Sequence, residues 1–330
     1  MTPSLTVAMP TFNRAALFDE QLAWFARAVD GREGEVELIV SDNCSTDETP
    51  EVIARWQRIL EERGVTIRAF RNDENIGAIR NIAACMRRAR GTHVWTVGDD
   101  DAIDDAALGH VLDLLGSTQN VSLLILNFSS RHWKTKELRF ARCFEIEADE
   151  VVEHGKELVE RFLSDPHPSR WGGLVLTTAL VYRTTTVQAA LDEWPAGLDN
   201  ITLQLFLTAR CALEGATVLT KETHVEMAAG RHFFDKDPMM HFRFRIADIP
   251  EAFVKLAEIG YSPALCQQKI LNQRKELRLR TVARLFSKQP VATLGVLRRH
   301  LAASRRLVSG RAGRSVRRDV RRSAQGGSTH

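Results

Sequence analysis

The 330-residue sequence lacks any apolar run long enough to cross a bilayer. Stretches such as Val121 to Phe128 stop after eight residues, whereas a spanning helix needs roughly 20. Residues 1–10 contain no basic segment followed by a long apolar one, so no secretory leader is expected. Cysteine is sparse and unpaired in spacing: five residues, at 44, 85, 143, 211 and 266, with no CxxC. That excludes a disulfide framework and a cysteine zinc site, and the thiols are expected to be reduced in a cytoplasmic protein. There is no internal repeat, which excludes a solenoid, and no RNP-type signature to indicate nucleic-acid binding. What remains is ordinary for a soluble globular chain, 44% apolar and 26% charged.

The net charge of +3 conceals an asymmetry. Residues 268–330 carry 17 Lys and Arg against two acids, so the preceding chain is acidic. Between Arg298 and Arg322, arginines alternate with Leu294, Val296, Leu297, Leu301 and Leu307. A basic amphipathic helix of this kind reads as a membrane-surface element on residues 268–322, or else as a solvated tail. The last nine or so residues read as disordered.

Residues 1–130 alternate between the period of a strand and that of a helix. Leu5–Met9, Val36–Val40, Val65–Phe70, Val94–Val97 and Val121–Phe128 are expected strands. Phe18, Leu22, Phe25 and Val29 recur at helical spacing, and Thr49 is expected to cap a helix with Pro50 in its first turn and a stripe from Val52, Ile53, Trp56, Ile59 and Leu60. Further helices are expected over Ala78–Ala89 and from an Asp104 cap to Leu115. Strands alternating with helices imply βαβ crossovers and a mostly parallel α/β sheet. In the middle region the expectations are a strand over Leu174–Tyr182, a helix over Ile201–Leu213 and a short strand over Thr217–Thr220. Beyond Phe242 the pattern is helical.

Ligands of such sheets bind beyond the carboxyl ends of the strands. The loops there are Pro10-Thr11-Phe12-Asn13-Arg14, Ser41 to Asp47, Arg71 to Asn81 and Gly98 to Asp101. Three consecutive aspartates, Asp99, Asp100 and Asp101, repel one another unless a cation compensates them. Their oxygens suit Mg²⁺ or Mn²⁺ held together with substrate phosphates; the same run also reads as an acidic turn capping the next helix. Asp42 can accept the N–H of a nucleobase, or form an Asx turn. The helix after Asn75-Ile76-Gly77 offers free N–H groups, with Arg80 close by, to a diphosphate or ribose, although Arg80 also fits a solvated helix face. Trp171 fits either stacking on an acceptor sugar or core packing.

These motifs in order resemble the signature of family 2 glycosyltransferases. The matching runs are Val7 to Arg14, Ser41 to Thr49, Asn75-Ile76-Gly77 with Arg80-Asn81, Gly91 to Trp95, and Gly98 to Asp101. The resemblance implies the GT-A fold, a Rossmann-like, mostly parallel sheet flanked by helices, here with an α-helical C-terminal extension. It implies a bacterial surface-glycan enzyme with a nucleotide-sugar donor, a divalent metal and inversion at the anomeric carbon. Residues 1–130 correspond to the nucleotide-sugar-binding half, 131–240 to the acceptor half and 241–330 to the basic helical extension. Donor contacts then fall to Pro10, Thr11, Asn13, Arg14, Asp42, Asn75, Gly77, Arg80 and Asp99. Asp100 or Asp101 becomes the metal ligand, because the usual Asp-x-Asp aligns with Gly98 or Asp99 first. Asp199, before the helix containing Leu203 and Phe206, corresponds to the general base, with Leu198 in place of the usual Glu; it also fits a plain helix cap. His224 and His232 are both candidates for the histidine found near the metal or pyrophosphate, Arg231-His232 being slightly closer to the family pattern, and Trp171 falls on the acceptor side.

The implied partners are a nucleotide sugar, a glycan or lipid-linked acceptor and an anionic membrane surface, with no nucleic acid. The implied location is the cytoplasm, peripheral at the inner face of the membrane. A sugar-1-phosphate nucleotidyltransferase would need a glycine-rich phosphate loop after the first strand, and Pro10 to Arg14 has no glycine. An inactive nucleotide-sugar-binding scaffold of the same fold is the alternative, against which the intact acidic run and Asp199 argue.

Overall fold

The computed structural model describes residues 2–165, 171–230 and 237–308. His232 and the arginines from Arg311 onward lie outside the described residues, as does the expected disordered end.

The first half is built on β1 (Leu5–Thr11), β2 (Val36–Asp42), β3 (Thr66–Arg71) and β4 (His93–Thr96). These alternate with α1 (Ala15–Ala28), α2 (Thr49–Glu62) and α3 (Ala78–Arg88). Then come β5 (Ala102–Ile103), α4 (Ala107–Ser117), β6 (Val121–His132), β7 (Leu138–Phe140), β8 (Glu150–Val152) and α5 (Lys156–Ser164). The second half adds β9 (Leu180–Arg183), α6 (Thr184–Glu193), α7 (Leu203–Cys211) and β10 (Ala216–Ala229). It ends in helices α8 (Pro238–Arg243), α9 (Ile249–Glu258), α10 (Pro263–Gln273), α11 (Leu279–Lys288) and α12 (Pro290–Val308).

All ten strands join one sheet in the order β3-β2-β1-β4-β9-β6-β10-β5, with β7 against β6 and β8 against β10. The pairs β1–β2, β2–β3, β1–β4 and β6–β10 are parallel, while β9 enters antiparallel between β4 and β6. Strand β1 is buried along nearly its whole length because helices cover both faces of a parallel sheet. The α1 stripe of Phe18, Leu22, Phe25 and Val29 is buried as its spacing requires. Buried Glu37 on β2 is satisfied by the Thr6 hydroxyl at 2.6 Å, the Arg90 N–H at 2.7 Å and Arg68 at 3.2 Å. Gly91 is required where the chain passes β1, since a Cβ there would lie 2.5 Å from the Thr6 nitrogen.

Several local expectations shift. Thr49 is the first helical residue rather than the cap, and Asp47 accepts its N–H at 3.1 Å. Ile59 is exposed rather than part of the α2 stripe. Asp104 forms a turn with Ala106 and Ala107, so α4 begins at Ala107. Leu174–Tyr182 is a strand only from Leu180, because Thr177–Ala179 make a 3₁₀ turn. The helix expected over Ile201–Leu213 is shorter, and the strand expected over Thr217–Thr220 is 14 residues long. Its second half, Lys221 onward, lies beyond the expected strand but pairs with β6 through irregular register. Val296 on α12 is buried in a second core with Met239, Phe242, Ile246 and Leu285, so part of the expected membrane-facing stripe packs inward.

One consequence concerns pH. The His93 ring meets the Val121 carbonyl at 2.9 Å, and burial pushes its pKa below the ordinary 6.5. The unfolded chain binds a proton at this ring below about 6.5, before the folded one does. Its contribution to stability is therefore complete above 6.5 and lost as pH falls through the folded value. The melting-temperature difference between the wild type and His93→Gln is expected to move by about 2 °C or more between pH 7.5 and 5.5, in favour of the variant at low pH. A difference that stays constant with pH contradicts this.

Candidate active site

The carboxyl ends of β1, β2, β3 and β4 lie side by side, and β1 sits where the strand order turns from β2 to β4. The loops leaving these ends are stitched together by their own short polar side chains. Asn13, at φ +51°, accepts the Thr46 N–H at 2.7 Å, and its own N–H reaches the Ser45 hydroxyl at 2.9 Å. Asp47 accepts the Ala15 N–H at 3.1 Å. The loop after Pro10 is thereby fixed to the loop after Asp42.

Asp42 is buried. It accepts the Ser45 N–H at 2.9 Å, the turn that an aspartate favours, and the Arg71 guanidinium at 3.0 Å. Asn43 links this loop to the next one: it donates to Asn75 at 2.7 Å and accepts from Asn72 and from the Ile76 N–H, each at 3.0 Å. Asn75 in turn accepts the Gly77 N–H at 2.9 Å. Gly77, at φ +84°, occupies the left-handed region that admits glycine most readily, and α3 begins immediately after it. The first N–H groups of α3 therefore open toward this edge.

The three aspartates meet three different environments. Asp99, with its side chain 10% exposed, accepts the Thr11 hydroxyl at 3.0 Å and Arg14 at 2.6 Å. Burial raises its pKa, Arg14 pulls it back down, and Asp100 raises it further. Asp101 is buried; one oxygen accepts the Thr178 hydroxyl at 2.6 Å and the other the Ala228 N–H at 3.3 Å. Burial, with the neighbouring Asp100 charge added, pushes its pKa up to about 6. Asp100 has a 24% exposed side chain and meets Arg14 at 2.9 Å through one oxygen. Arg14 thus bridges two carboxylates with one nitrogen. Burial opposes its charge, but Asp99 and Asp100 outweigh that and raise its pKa. None of the three aspartates caps α4, so the capping alternative does not describe them.

Thr178 had no sequence signal. Its hydroxyl also accepts the Gly98 N–H at 3.0 Å, and its carbonyl accepts the indole N–H of buried Trp95 at 2.8 Å. The residue is recognisable only once the 3₁₀ turn before β9 is seen to pass beneath the acidic loop. Arg71 opens one of the loops placed at this edge by the sequence, but its pairing with Asp42 had no sequence signal, because it lies at the end of an edge strand of alternating burial.

Arg80 and Asp199 are 119 residues apart and meet here. The guanidinium holds both carboxylate oxygens, at 2.7 and 2.8 Å, and both side chains remain largely open to solvent. Asp199 does not cap α7; Asn200 accepts the Thr202 N–H at the start of that helix instead. Trp171 is partly buried and packs edge-on to Phe253, at 6.4 Å between ring centres. His224 bonds Asp104 at 2.8 Å and packs on the His110 ring at 4.6 Å.

Among the described residues, no three carboxylate, imidazole or thiol groups converge as a complete metal cage. The site does fit an oxygen-seeking divalent cation bound chiefly through one carboxylate. Adjacent negative charges here already recruit Arg14, and the Asp100 side chain stays partly exposed.

The comparisons with known proteins point the same way. The sequence model described as Glycosyl transferase family 2 matches residues 6–171, half of the chain. Abequosyltransferase RfbV of Salmonella typhimurium is 30% identical over 122 residues, covering 36% of this chain and 34% of that protein. The chain spans about a third, at most, of the length of the curated relatives it matches. Residues 1–349 of Staphylococcus aureus TarS share the fold with a TM-score of 0.57 at 15% identity, over 94% of this chain and 83% of that one. Mannosyltransferase PcManGT from Pyrobaculum calidifontis, solved with GDP-Man and Mn²⁺, has a TM-score of 0.51 at 14% identity, over 93% and 88%. The fold is therefore GT-A, and the chain belongs to the family 2 glycosyltransferases.

Proposed function

We propose that the protein is an inverting, metal-assisted glycosyltransferase that moves a sugar from a nucleoside-diphosphate donor to a hydroxyl of a glycan or lipid-linked acceptor. The observation that carries this reading is the convergence of Thr11, Arg14, Asp99 and Asp100 where β1 and β4 end, with the Arg80–Asp199 pair beside the α3 N-terminus. In this reading residues 1–130 bind the donor, 131–240 the acceptor, and 241–330 form a helical extension. Asp42, Pro10 and Asn13 border the base and ribose, and Asp99 faces the ribose. Asn75 and Gly77 shape the start of α3, whose N–H groups and Arg80 face the diphosphate. Asp100 is the direct metal ligand, while Asp101, tied to Thr178 and Ala228, stiffens the loop behind it. By the family resemblance His232 is assigned to the metal side, and the exposed part of Trp171 to the acceptor side.

Mn²⁺ or Mg²⁺ bound there offsets the negative charge that develops on the leaving diphosphate. Asp199 takes the proton of the acceptor hydroxyl. The freed oxygen forms its bond to the anomeric carbon as the bond to the diphosphate breaks, and the nucleoside diphosphate leaves with that electron pair. Three bonds from Arg80 leave one of the roughly four lone-pair sites of Asp199 open for this proton. Arg80 also holds the carboxylate close to the diphosphate it neutralises.

Calorimetry with UDP, GDP, dTDP and CDP, each with and without Mn²⁺, tests the donor site. One nucleotide is expected to bind with metal at least tenfold more tightly than without it, and Asp100→Ala is expected to abolish that difference; four metal-independent isotherms refute the metal-assisted reading. Asp199→Asn is expected to lower kcat by about 10² to 10⁴ while leaving nucleotide affinity within threefold. Unchanged turnover removes Asp199 as the base, and metal-dependent binding without turnover in the wild type supports the scaffold alternative.

The proposed location is cytoplasmic and peripheral at the inner membrane face. No helix among the described residues is long and apolar enough to cross a membrane. Leu279 and Val291 are 88% and 85% exposed, and Phe286 and Leu301 are also open, among exposed Arg280, Arg284 and Arg305. Apolar side chains flanked by cations suit an anionic leaflet. Sedimentation with vesicles containing phosphatidylglycerol is expected to capture the full chain, and Leu279→Glu with Val291→Glu to release it. Equal capture by neutral vesicles, or no loss in the double variant, contradicts the surface reading.

A further inference from the structure

The turn that carries Asp199 is held from behind by the C-terminal helices. Between α8 and α9, Phe244–Asp248 widen into a π-helical turn, and Pro250 follows in the first turn of α9. A proline has no N–H to offer the carbonyl four residues back, that of Ile246. The His300 ring on α12 donates to that carbonyl instead, at 2.8 Å. The residue before it, Arg299, reaches into the same place.

Arg299 meets Asp248 at 2.7 Å, and Glu251 at 2.7 and 2.5 Å through two of its nitrogens. The Asp248 side chain is 0% exposed and also accepts Arg243 at 3.2 Å. Burial raises its pKa, and the two arginines pull it back. The main chain of Asp248 and the carboxylate of Glu251 hold the base turn directly. Asn200 donates to the Asp248 carbonyl at 3.0 Å and to Glu251 at 3.2 Å, Thr202 donates to the same carbonyl at 3.0 Å, and Arg243 donates to the Asp199 carbonyl. Every residue from Asp199 to Thr202 except Ile201 is bonded strongly into this network, and the Ile201 N–H approaches Asp248 at 3.4 Å.

We infer that Arg299 is a positioning residue for transfer. By fixing Asp248 and Glu251 it sets the place of the Asp199 turn, and it makes the C-terminal helix α12 part of the catalytic geometry. The inference rests on Asp199 being the base. Arg299 lies 100 residues beyond Asp199 in sequence and outside the 6–171 family match. A planar fork is needed here, because one guanidinium spans two carboxylates in a way an ammonium does not.

The test is steady-state kinetics on the full chain for Arg299→Met, Arg299→Lys and Asp199→Asn, alone and combined. Arg299→Met is expected to lower kcat about tenfold or more, since small misplacements of a reacting group are costly. Donor KM and metal-dependent nucleotide binding should stay within threefold. Arg299→Lys retains the charge for folding and should fall between the wild type and Met. In an Asp199→Asn background, Arg299→Met should lower the residual rate no further. Unchanged kcat in both Arg299 variants overturns the inference while Asp199→Asn remains inactive. Equal losses in the two backgrounds, or a loss of nucleotide affinity that matches the loss of kcat, overturn it as well by assigning Arg299 a general structural role. If Asp199→Asn is fully active, the base assignment fails first, and the inference falls with it.

Discussion

Three neighbouring carboxylates at the carboxyl edge of the sheet are the constraint around which the rest is arranged. Like charges this close cannot all stay ionised in a partly buried place without compensation. Each is answered differently. Asp99 takes Thr11 and Arg14 from the end of β1, and Asp101 takes Thr178 and the Ala228 N–H from elements more than 70 residues away. Asp100 is left with a single cationic partner and a partly exposed side chain. Because the partners come from β1, the turn before β9 and the end of β10, the acidic loop takes this form only when the central sheet is complete. A buried carboxylate deprived of such partners costs several kcal/mol, so the fold and the site are specified together.

The same logic recurs at Asp248, where a buried acid is balanced by arginines from two helices and its carbonyl anchors the Asp199 turn. One cluster leaves the Asp100 side chain partly exposed at the sheet edge; the other fixes a loop against the C-terminal helices. The second core around Phe242, Ile246, Leu285 and Val296 packs the π-helical turn that precedes Asp248 against α11 and α12. The extension is joined to the body by packing of Ile249, Phe253 and Leu256 into the main core and by the hydrogen bonds from Asn200 and Thr202 to the Asp248 carbonyl.

The sequence disclosed the first half of this arrangement well, for a physical reason. Buried parallel strands and one-sided helices impose strong periods, so β1, β2, α1 and α3 are legible to within a residue or two. The loops that follow them carry Asp42, Gly77, Arg80 and the aspartate run in the open. The middle was harder to read. Thr178 is a small polar residue in a 3₁₀ turn, and its role depends on what passes above it. The polar half of β10 alternates too weakly to register as a strand, because its partner β6 is reached through register shifts. The Arg80–Asp199 pair joins two residues that were separately suspected, and no local pattern announces that they meet. Arg299 stood out in the sequence only as one of many tail cations; burial of Asp248 is what distinguishes it.

The central claim is that Asp100 presents a carboxylate oxygen to a divalent cation shared with a nucleoside diphosphate. Anomalous diffraction at the manganese edge, from crystals grown with Mn²⁺ and the nucleotide selected by calorimetry, addresses it directly. The predicted result is a peak against the Asp100 carboxylate at the end of β4, lost in Asp100→Asn. Bound nucleotide with no peak at that carboxylate, or a peak that persists unchanged in the variant, would contradict it.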